Sequence, residues 1–175
     1  MSAKHYSTEE KEKILEPFRI ALKIEREGKK FLLEAAEKSE HPAAKRTFEY
    51  LASQEDNHAE KIQKMFQAIS DTGESIPMEE DDETPEEKIV GFNRRLAELK
   101  DEVRASAGDI EAYKTALEME EDTEEFYREK IQETDDPNIK RIYEYFINEE
   151  SAHSVMLRSC LDFMEDPATW FKKHK

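Results

Sequence analysis

The feature that most constrains this chain is an internal repeat. When the sequence is compared with itself at a shift of 95 residues, segments 21–58 and 116–153 align without a gap and share 12 of 38 residues. Self-similarity at a fixed shift indicates a repeated structural unit. Each copy contains two amphipathic stretches that meet at a proline, Pro42 or Pro137, where a turn is expected. The sequence therefore predicts two copies of one helical hairpin.

Apolar residues at steps of three, four and seven predict four long helices. The predicted ranges are about 8–39, 42–69, 109–134 and 137–165. No strand pattern appears anywhere in the chain, so the predicted fold class is all-α.

The two hairpins are joined by a long connection. Its first part, 71–84, is acidic, contains Gly and Pro and lacks an apolar period, which predicts an exposed linker. A shorter amphipathic helix is expected from Pro85 to about Ala105. After the last long helix, Trp170 and Phe171 are expected either to pack back on the bundle or to form an interface.

Composition excludes several classes of function. The chain has 43 acidic and 27 basic residues and a net charge of -16, which argues against binding nucleic acid. No apolar run approaches the length of a membrane span, and the N-terminus lacks the apolar core of a signal peptide, so we expect a soluble, cytoplasmic protein with no membrane partner. The single cysteine, Cys160, excludes an internal disulfide and a four-cysteine metal centre within these residues.

Six polar residues stand on the apolar stripes of the predicted helices. Each repeat supplies one glutamate and one Glu-x-x-His pair: Glu25, Glu55 and His58 in the first, and Glu120, Glu150 and His153 in the second. Buried carboxylates without partners are costly, and four together would repel one another unless they were protonated or bound cations. Carboxylates and imidazoles converging in a helical bundle are typical ligands for two divalent metals.

The repetition decides between this interpretation and a structural one. A single Glu-x-x-His in so acidic a chain is a weak signal, and alone it would be read as structural. Because both copies have the same pair with a glutamate 33 residues before the histidine, we favour metal ligation. The alternative that the repeat descends from a metal-binding ancestor whose site this chain has lost stays open.

At these residues the chain resembles the ferritin-like di-iron carboxylate proteins, and among them the rubrerythrin family. The resemblance rests on the segments IEREGKKFL (24–32), QEDNHA (54–59), MEEDTEEFY (119–127) and EESAH (149–153). It covers roughly 8–165 and implies an antiparallel four-helix bundle whose long crossover, 70–108, contains the additional short helix. Residues 1–175 are accordingly predicted to form a single ferritin-like domain.

The resemblance also implies roles for individual residues. Glu55 and Glu150 would bridge two irons, Glu25 and Glu120 would each hold one iron, and His58 and His153 would each cap one. Tyr127 matches a family tyrosine near the site, so Glu55, Glu150 and Tyr127 are the expected catalytic residues. Two iron ions per chain are the expected cofactor, although manganese or zinc would also suit this ligand set.

Three departures from the family qualify this expectation. A rubredoxin-like electron-transfer domain is not expected in a chain with one cysteine, so a separate electron-donor protein is the expected partner. Rubrerythrins commonly have a further glutamate three residues after the third-helix ligand, where this chain has Thr123, with Gly28 at the same place in the first repeat. Glu124 is a candidate to replace that ligand. Leu32 occupies the position that corresponds to Tyr127.

The predicted function is reduction of hydrogen peroxide, or of dioxygen, by an iron pair. Two alternatives stay open: an iron-binding or storage protein, and a non-catalytic helical module. A homodimer is also expected, because the short helix has an apolar face, Ile89, Phe92, Leu96 and Leu99, that a four-helix bundle does not need for its own core.

Overall fold

The computed structural model describes residues 5–99 and 105–174, and the fold in these ranges is all-α. The helices are α1 (Thr8–Lys38), α2 (Pro42–Thr72), α3 (Pro85–Ala97), α4 (Ala107–Lys130), α5 (Pro137–Glu165) and α6 (Pro167–Lys173). A short 3-10 turn, Ile131–Glu133, follows α4. The described residues contain no strand, and one isolated bridge pairs His5 with Glu74.

Local sequence signals set the helix ends. Ser7 caps α1 in a reciprocal capping box with Glu10, which satisfies backbone N–H groups of the first turn. Pro42 and Pro137 begin α2 and α5, where a missing N–H costs nothing. Helix α2 ends at Thr72 and is capped by Gly73, whose φ of 75° is the left-handed conformation that favours glycine. The four long helices therefore agree closely with the predicted ranges.

The long helices form two antiparallel hairpins that pack together. Helix α1 lies against α2 and α4 against α5, while α1 also contacts α4 and α2 contacts α5. The connection from α2 to α4 contains α3, which packs on α5. This is the ferritin-like arrangement with a long crossover. Among the described residues, no helix is both long enough and apolar enough to cross a membrane.

The core consists of two apolar clusters separated by a polar layer. One cluster includes Leu32 of α1 and Phe48 of α2, and the other includes Phe18 of α1 and Ile62 of α2. In α1 and α2, Glu25, Glu55 and His58 fall between the segments that enter the two clusters. The equivalent residues of α4 and α5 occupy the same level. Apolar packing at both ends therefore encloses the polar layer.

The first part of the crossover is more closely attached to the bundle than the sequence predicts. Ser75 is buried, and its hydroxyl donates to Asp136, the N-cap of α5. Asp81 accepts hydrogen bonds from Lys88 and Tyr145. The prediction of an exposed linker over 71–84 is therefore wrong at these two positions, because bundle side chains satisfy their polar groups.

Helix α3 ends earlier than predicted, at Ala97, and 100–104 lie outside the described residues. Its apolar face is covered within the chain, since Phe92 and Leu96 are buried in the cluster that also contains Phe48. The argument that this face needs a second copy to cover it is therefore wrong. The homodimer itself stays a prediction.

The segment after α5 forms α6, which periodicity did not predict in so short a stretch. Trp170 is buried, and its indole N–H donates to the Ser159 hydroxyl at 2.9 Å. Ser159 in turn donates to Asn93 of α3 at 2.7 Å. Of the two alternatives for the Trp170 tail, the structure supports packing on the bundle.

Candidate metal centre

The six polar residues predicted from the repeat converge in the middle of the bundle. Helix α1 supplies Glu25, α2 supplies Glu55 and His58, α4 supplies Glu120, and α5 supplies Glu150 and His153. All six are buried, the most exposed being Glu120 at 6%. Helical spacing of three residues puts the Glu and His of each pair on one face, which points both side chains inward.

The two histidines have matching inner surroundings. His58 Nδ1 lies 3.4 Å from Glu25, 3.8 Å from Glu55 and 3.2 Å from Glu150. His153 Nδ1 lies 3.5 Å from Glu120, 3.4 Å from Glu55 and 3.4 Å from Glu150. The imidazole rings are stacked, with centroids 5.2 Å apart. Each histidine thus has one glutamate of its own and shares the other two.

The shared glutamates place one oxygen on each side of the cluster. Glu55 presents Oε2 to His58 and Oε1 to His153. Glu150 presents Oε1 to His58 and Oε2 to His153. The six residues accordingly divide into two overlapping groups of four, each with its potential ligand atoms within 4.8 Å of one another. This is the arrangement that two adjacent metal ions with bridging carboxylates would need.

The electrostatics of the cluster reflect burial and mutual repulsion. Burial and the neighbouring Glu25 and Glu150 raise the pKa of Glu55 well above its usual range. Burial and Glu150 raise the pKa of Glu120 to about 8. Burial has the same effect on Glu150, but its close neighbours Glu120 and His153 outweigh burial and lower that pKa. Without cations, the cluster therefore holds protons on part of its carboxylates.

The histidines respond in the opposite way to burial. Burial alone lowers the pKa of His58, but contacts with Glu149, Glu150 and Glu25 raise it overall. The pKa of His153 is likewise raised by its glutamate neighbours against the effect of burial. Both imidazoles are thus held in an environment that favours positive charge.

The residues fit a pair of divalent cations. Both ring nitrogens of each histidine, both oxygens of Glu150 and one oxygen each of Glu25 and Glu55 are buried without a hydrogen-bond partner. Buried polar atoms normally have partners, so this group of atoms is an exception that bound ions would explain. Four carboxylates also balance the charge of two divalent ions. Carboxylate and imidazole donors suit iron, manganese or zinc.

Tyr127 lies beside the cluster, as predicted. Its hydroxyl donates to Glu25 Oε1, and its ring stacks on Phe146 with centroids 4.8 Å apart. Burial and the charge of Glu25 raise its pKa well above the usual range, so the phenol stays protonated and remains a donor. Tyr127 therefore contacts one of the six residues directly.

Glu124 does not join the cluster. Its carboxylate forms an ion pair with Arg128, with the closest atoms 2.6 Å apart, and it belongs to neither group of potential ligands. Thr123 is buried, and its hydroxyl donates to the Met119 carbonyl at 2.8 Å. The proposed replacement of the missing family glutamate by Glu124 therefore has no support in this structure.

Sequence reasoning missed a group of charged residues behind His58. Glu149 lies 3.7 Å from His58 Nε2, the ring nitrogen opposite Nδ1. Lys88 of α3 donates to Glu149 at 2.6 Å and to Asp81 at 2.7 Å. A signal for this was available, because Lys88 is four residues before Phe92, on the buried face of α3.

Comparison with known proteins adds one finding. A family model described as Rubrerythrin matches residues 16–161. This range contains all six residues of the cluster and Tyr127. Neither the search of curated proteins nor the search of solved structures finds a match.

Proposed function

The chain belongs to the rubrerythrin family, and from this premise we propose that it is a di-iron oxidoreductase that reduces hydrogen peroxide with electrons from a separate donor protein. The observation that carries the proposal is the buried pair of overlapping ligand groups, each with three carboxylates and one histidine. The two ligand sets support a two-metal centre, because a single structural metal would need only one set.

In this proposal Glu55 and Glu150 would help to hold both irons. Each has one oxygen near His58 Nδ1 and the other near His153 Nδ1. Glu25 and His58 would complete one site, and Glu120 and His153 the other. The iron pair, when bound and reduced, supplies the two electrons that cleave one O–O bond.

The chain's own residues would control access and protons. A cavity of about 30 Å³ adjoins Glu55 and Glu120 and is large enough for a molecule a few atoms in size. Its other lining residues include Gly28, Phe31, Met119 and Thr123. Tyr127 holds its proton at the phenol oxygen and, by donating to Glu25, keeps that carboxylate in one orientation. The surrounding apolar clusters would limit the entry of bulk water.

The requirement for a donor protein follows from the chemistry. Reduction of one hydrogen peroxide to two waters consumes two electrons and two protons. Cys160 is buried, and burial raises the pKa of its thiol to about 11, so it is a poor redox partner. We therefore expect single turnover without a donor and steady turnover only when one is added.

Stopped-flow oxidation of the anaerobically reduced, iron-loaded protein tests the proposal. Peroxide should reoxidise the protein faster than dioxygen does, and zinc-loaded protein, which has no redox chemistry, should be inert. Faster oxidation by dioxygen would favour an oxidase or a ferroxidase. No reaction with either oxidant would refute the enzyme while leaving metal binding intact.

A further inference from the structure

A buried lysine from the crossover is the most unexpected charge in the described part of the molecule. Lys88 is 7% exposed and is held between Glu149 and Asp81. Burying an ion pair gains little over an apolar pair of similar size, because both charges lose their hydration. The cost suggests that the pair serves something besides the packing of α3.

Glu149, one of the two ion-pair partners of Lys88, lies next to the candidate metal centre. Glu149 is fully buried, and its Oε2 atom, which accepts from Lys88, also lies 3.7 Å from His58 Nε2. The Nδ1 atom of the same ring faces Glu25 and Glu150. His58 thus lies between the carboxylate cluster on one side and an anion on the other.

The His153 side of the candidate centre lacks an equivalent charged residue. At the shift of 95 residues, Glu149 corresponds to Gln54, which is neutral. An oxygen of Glu149 lies within 4.8 Å of a His153 nitrogen, but only His58 is at ion-pair distance from it. The effect of Glu149 should therefore fall mainly on His58.

We propose that Glu149, fixed by Lys88 of the crossover helix, is a positioning residue for His58 and makes the His58 side of the centre bind its metal more tightly than the His153 side. This inference rests on the proposed metal centre. An acceptor hydrogen-bonded to the outer nitrogen of a metal-bound histidine fixes its ring orientation and raises its basicity, and loss of such an acceptor typically costs 10–100-fold in affinity. Glu149 Oε2 faces His58 Nε2 at an ion-pair distance of 3.7 Å, and a small shift of the ring would bring the two atoms into hydrogen-bond range.

The crossover keeps this acceptor in place from two directions. Lys88 neutralises Glu149, and Asp81, which precedes α3, binds the same ammonium. Asp81 is itself fixed by the Tyr145 hydroxyl at 2.7 Å and by Lys61 at 3.0 Å. The segment from Asp81 to Lys88 thus connects the crossover to a ligand of the first repeat.

Anaerobic titration of the metal-free protein with Co²⁺, in competition with a chelator, tests the proposal through metal affinity and not through activity. The wild type should bind two ions with separable affinities. The variant Glu149→Gln, which keeps the shape and removes the charge, should weaken the tighter step by about 10–100-fold. The weaker step should change by about twofold at most. The control Gln54→Ala, at the repeat-related position, should leave both steps unchanged.

Two variants of Lys88 test the same proposal if Glu149→Gln does not fold. Lys88→Arg keeps a cation and should retain the tight step, whereas Lys88→Met should weaken it. Unchanged affinities in Glu149→Gln and Lys88→Met, or an equal loss at both steps, would overturn the positioning role. A wild type that binds no Co²⁺ would instead refute the metal centre itself.

Discussion

The two halves of the candidate centre are alike on the inside and different on the outside. Each histidine presents Nδ1 to one glutamate of its own and to the shared Glu55 and Glu150, at distances of 3.2 to 3.8 Å. Behind the first-repeat ligands stand Tyr127, on Glu25, and Glu149, on His58. Tyr127 and Glu149 themselves belong to the second repeat. At the same positions the first repeat has Leu32 and Gln54, which offer neither a hydroxyl nor a charge.

The residues that face the metals and the residues behind them are under different structural requirements. Binding two adjacent cations requires the same set of donors twice, so the repeat retains the inner residues in both copies. The outer residues also depend on elements outside the repeat, above all the crossover that carries Lys88. The two halves would therefore hold similar metals in unequal surroundings.

The largest effect on metal binding should come from removing the two glutamates that both halves share. The double variant Glu55→Ala/Glu150→Ala should fall from two bound irons per chain to none, because each shared glutamate contributes to both groups. Metal analysis after anaerobic loading measures this. A matched control is Glu49→Ala/Glu144→Ala, which changes two exposed, repeat-related glutamates on the same helices. Two irons retained in the first variant would invalidate the ligand assignment.

Removing the metal should make stability depend on pH. The pKa of Glu120 is raised to about 8, so the folded metal-free protein binds a proton that the unfolded chain releases above its ordinary pKa of 4.5. The free energy of unfolding should therefore fall as pH rises from 5 to 8, by a few kcal/mol as an order of magnitude. The raised pKa values of Glu55, His58 and His153 act in the same direction.

The lowered pKa of Glu150 contributes only at acid pH and does not reverse this trend. Chemical denaturation at several pH values measures the slope. Glu120→Gln should flatten it in the metal-free protein, and the metal-loaded wild type should show little slope. A metal-free wild type with equal stability at pH 5 and 8 would contradict the buried geometry.

A smaller effect should separate the halves. Tyr127→Phe removes the donor from the buried Glu25, which should cost the metal-free protein about 1–3 kcal/mol in unfolding free energy. Tyr143 is a buried control, since its ring centroid lies 6.0 Å from that of Tyr127 and no hydroxyl hydrogen bond is found for it among the described residues. Tyr143→Phe should therefore cost much less. Equal losses in both variants would assign the Tyr127 effect to packing.

The smallest effect concerns Gly28, the counterpart of Thr123. It lies within α1 without a positive φ, and a Cβ there would approach only Glu55, at 3.9 Å. Gly28→Ala should therefore stabilise the protein by about 0.5–1 kcal/mol through helix propensity. Urea denaturation measures this. A destabilised variant would show that the small cavity beside Glu55 has no room for a methyl group.

The sequence predicts the bundle and its inner residues well. The four long helices and the six converging polar residues can be predicted because each pattern occurs in both copies of the repeat. The family match confirms the rubrerythrin resemblance. The outer residues are harder to predict, because Lys88 reaches Glu149 across 61 positions and no periodic pattern relates the two. The argument that the apolar face of α3 needs a second copy to cover it fails for a similar reason, since its own bundle covers Phe92 and Leu96.

The most direct test of the central claim is Mössbauer spectroscopy of the protein loaded anaerobically with ⁵⁷Fe²⁺, together with an iron count per chain. We predict two irons per folded chain and two quadrupole doublets of equal area, one for each half of the centre. Two irons with a single sharp doublet would contradict the inequality of the halves. One iron or none in the folded wild type would contradict the two-metal centre itself.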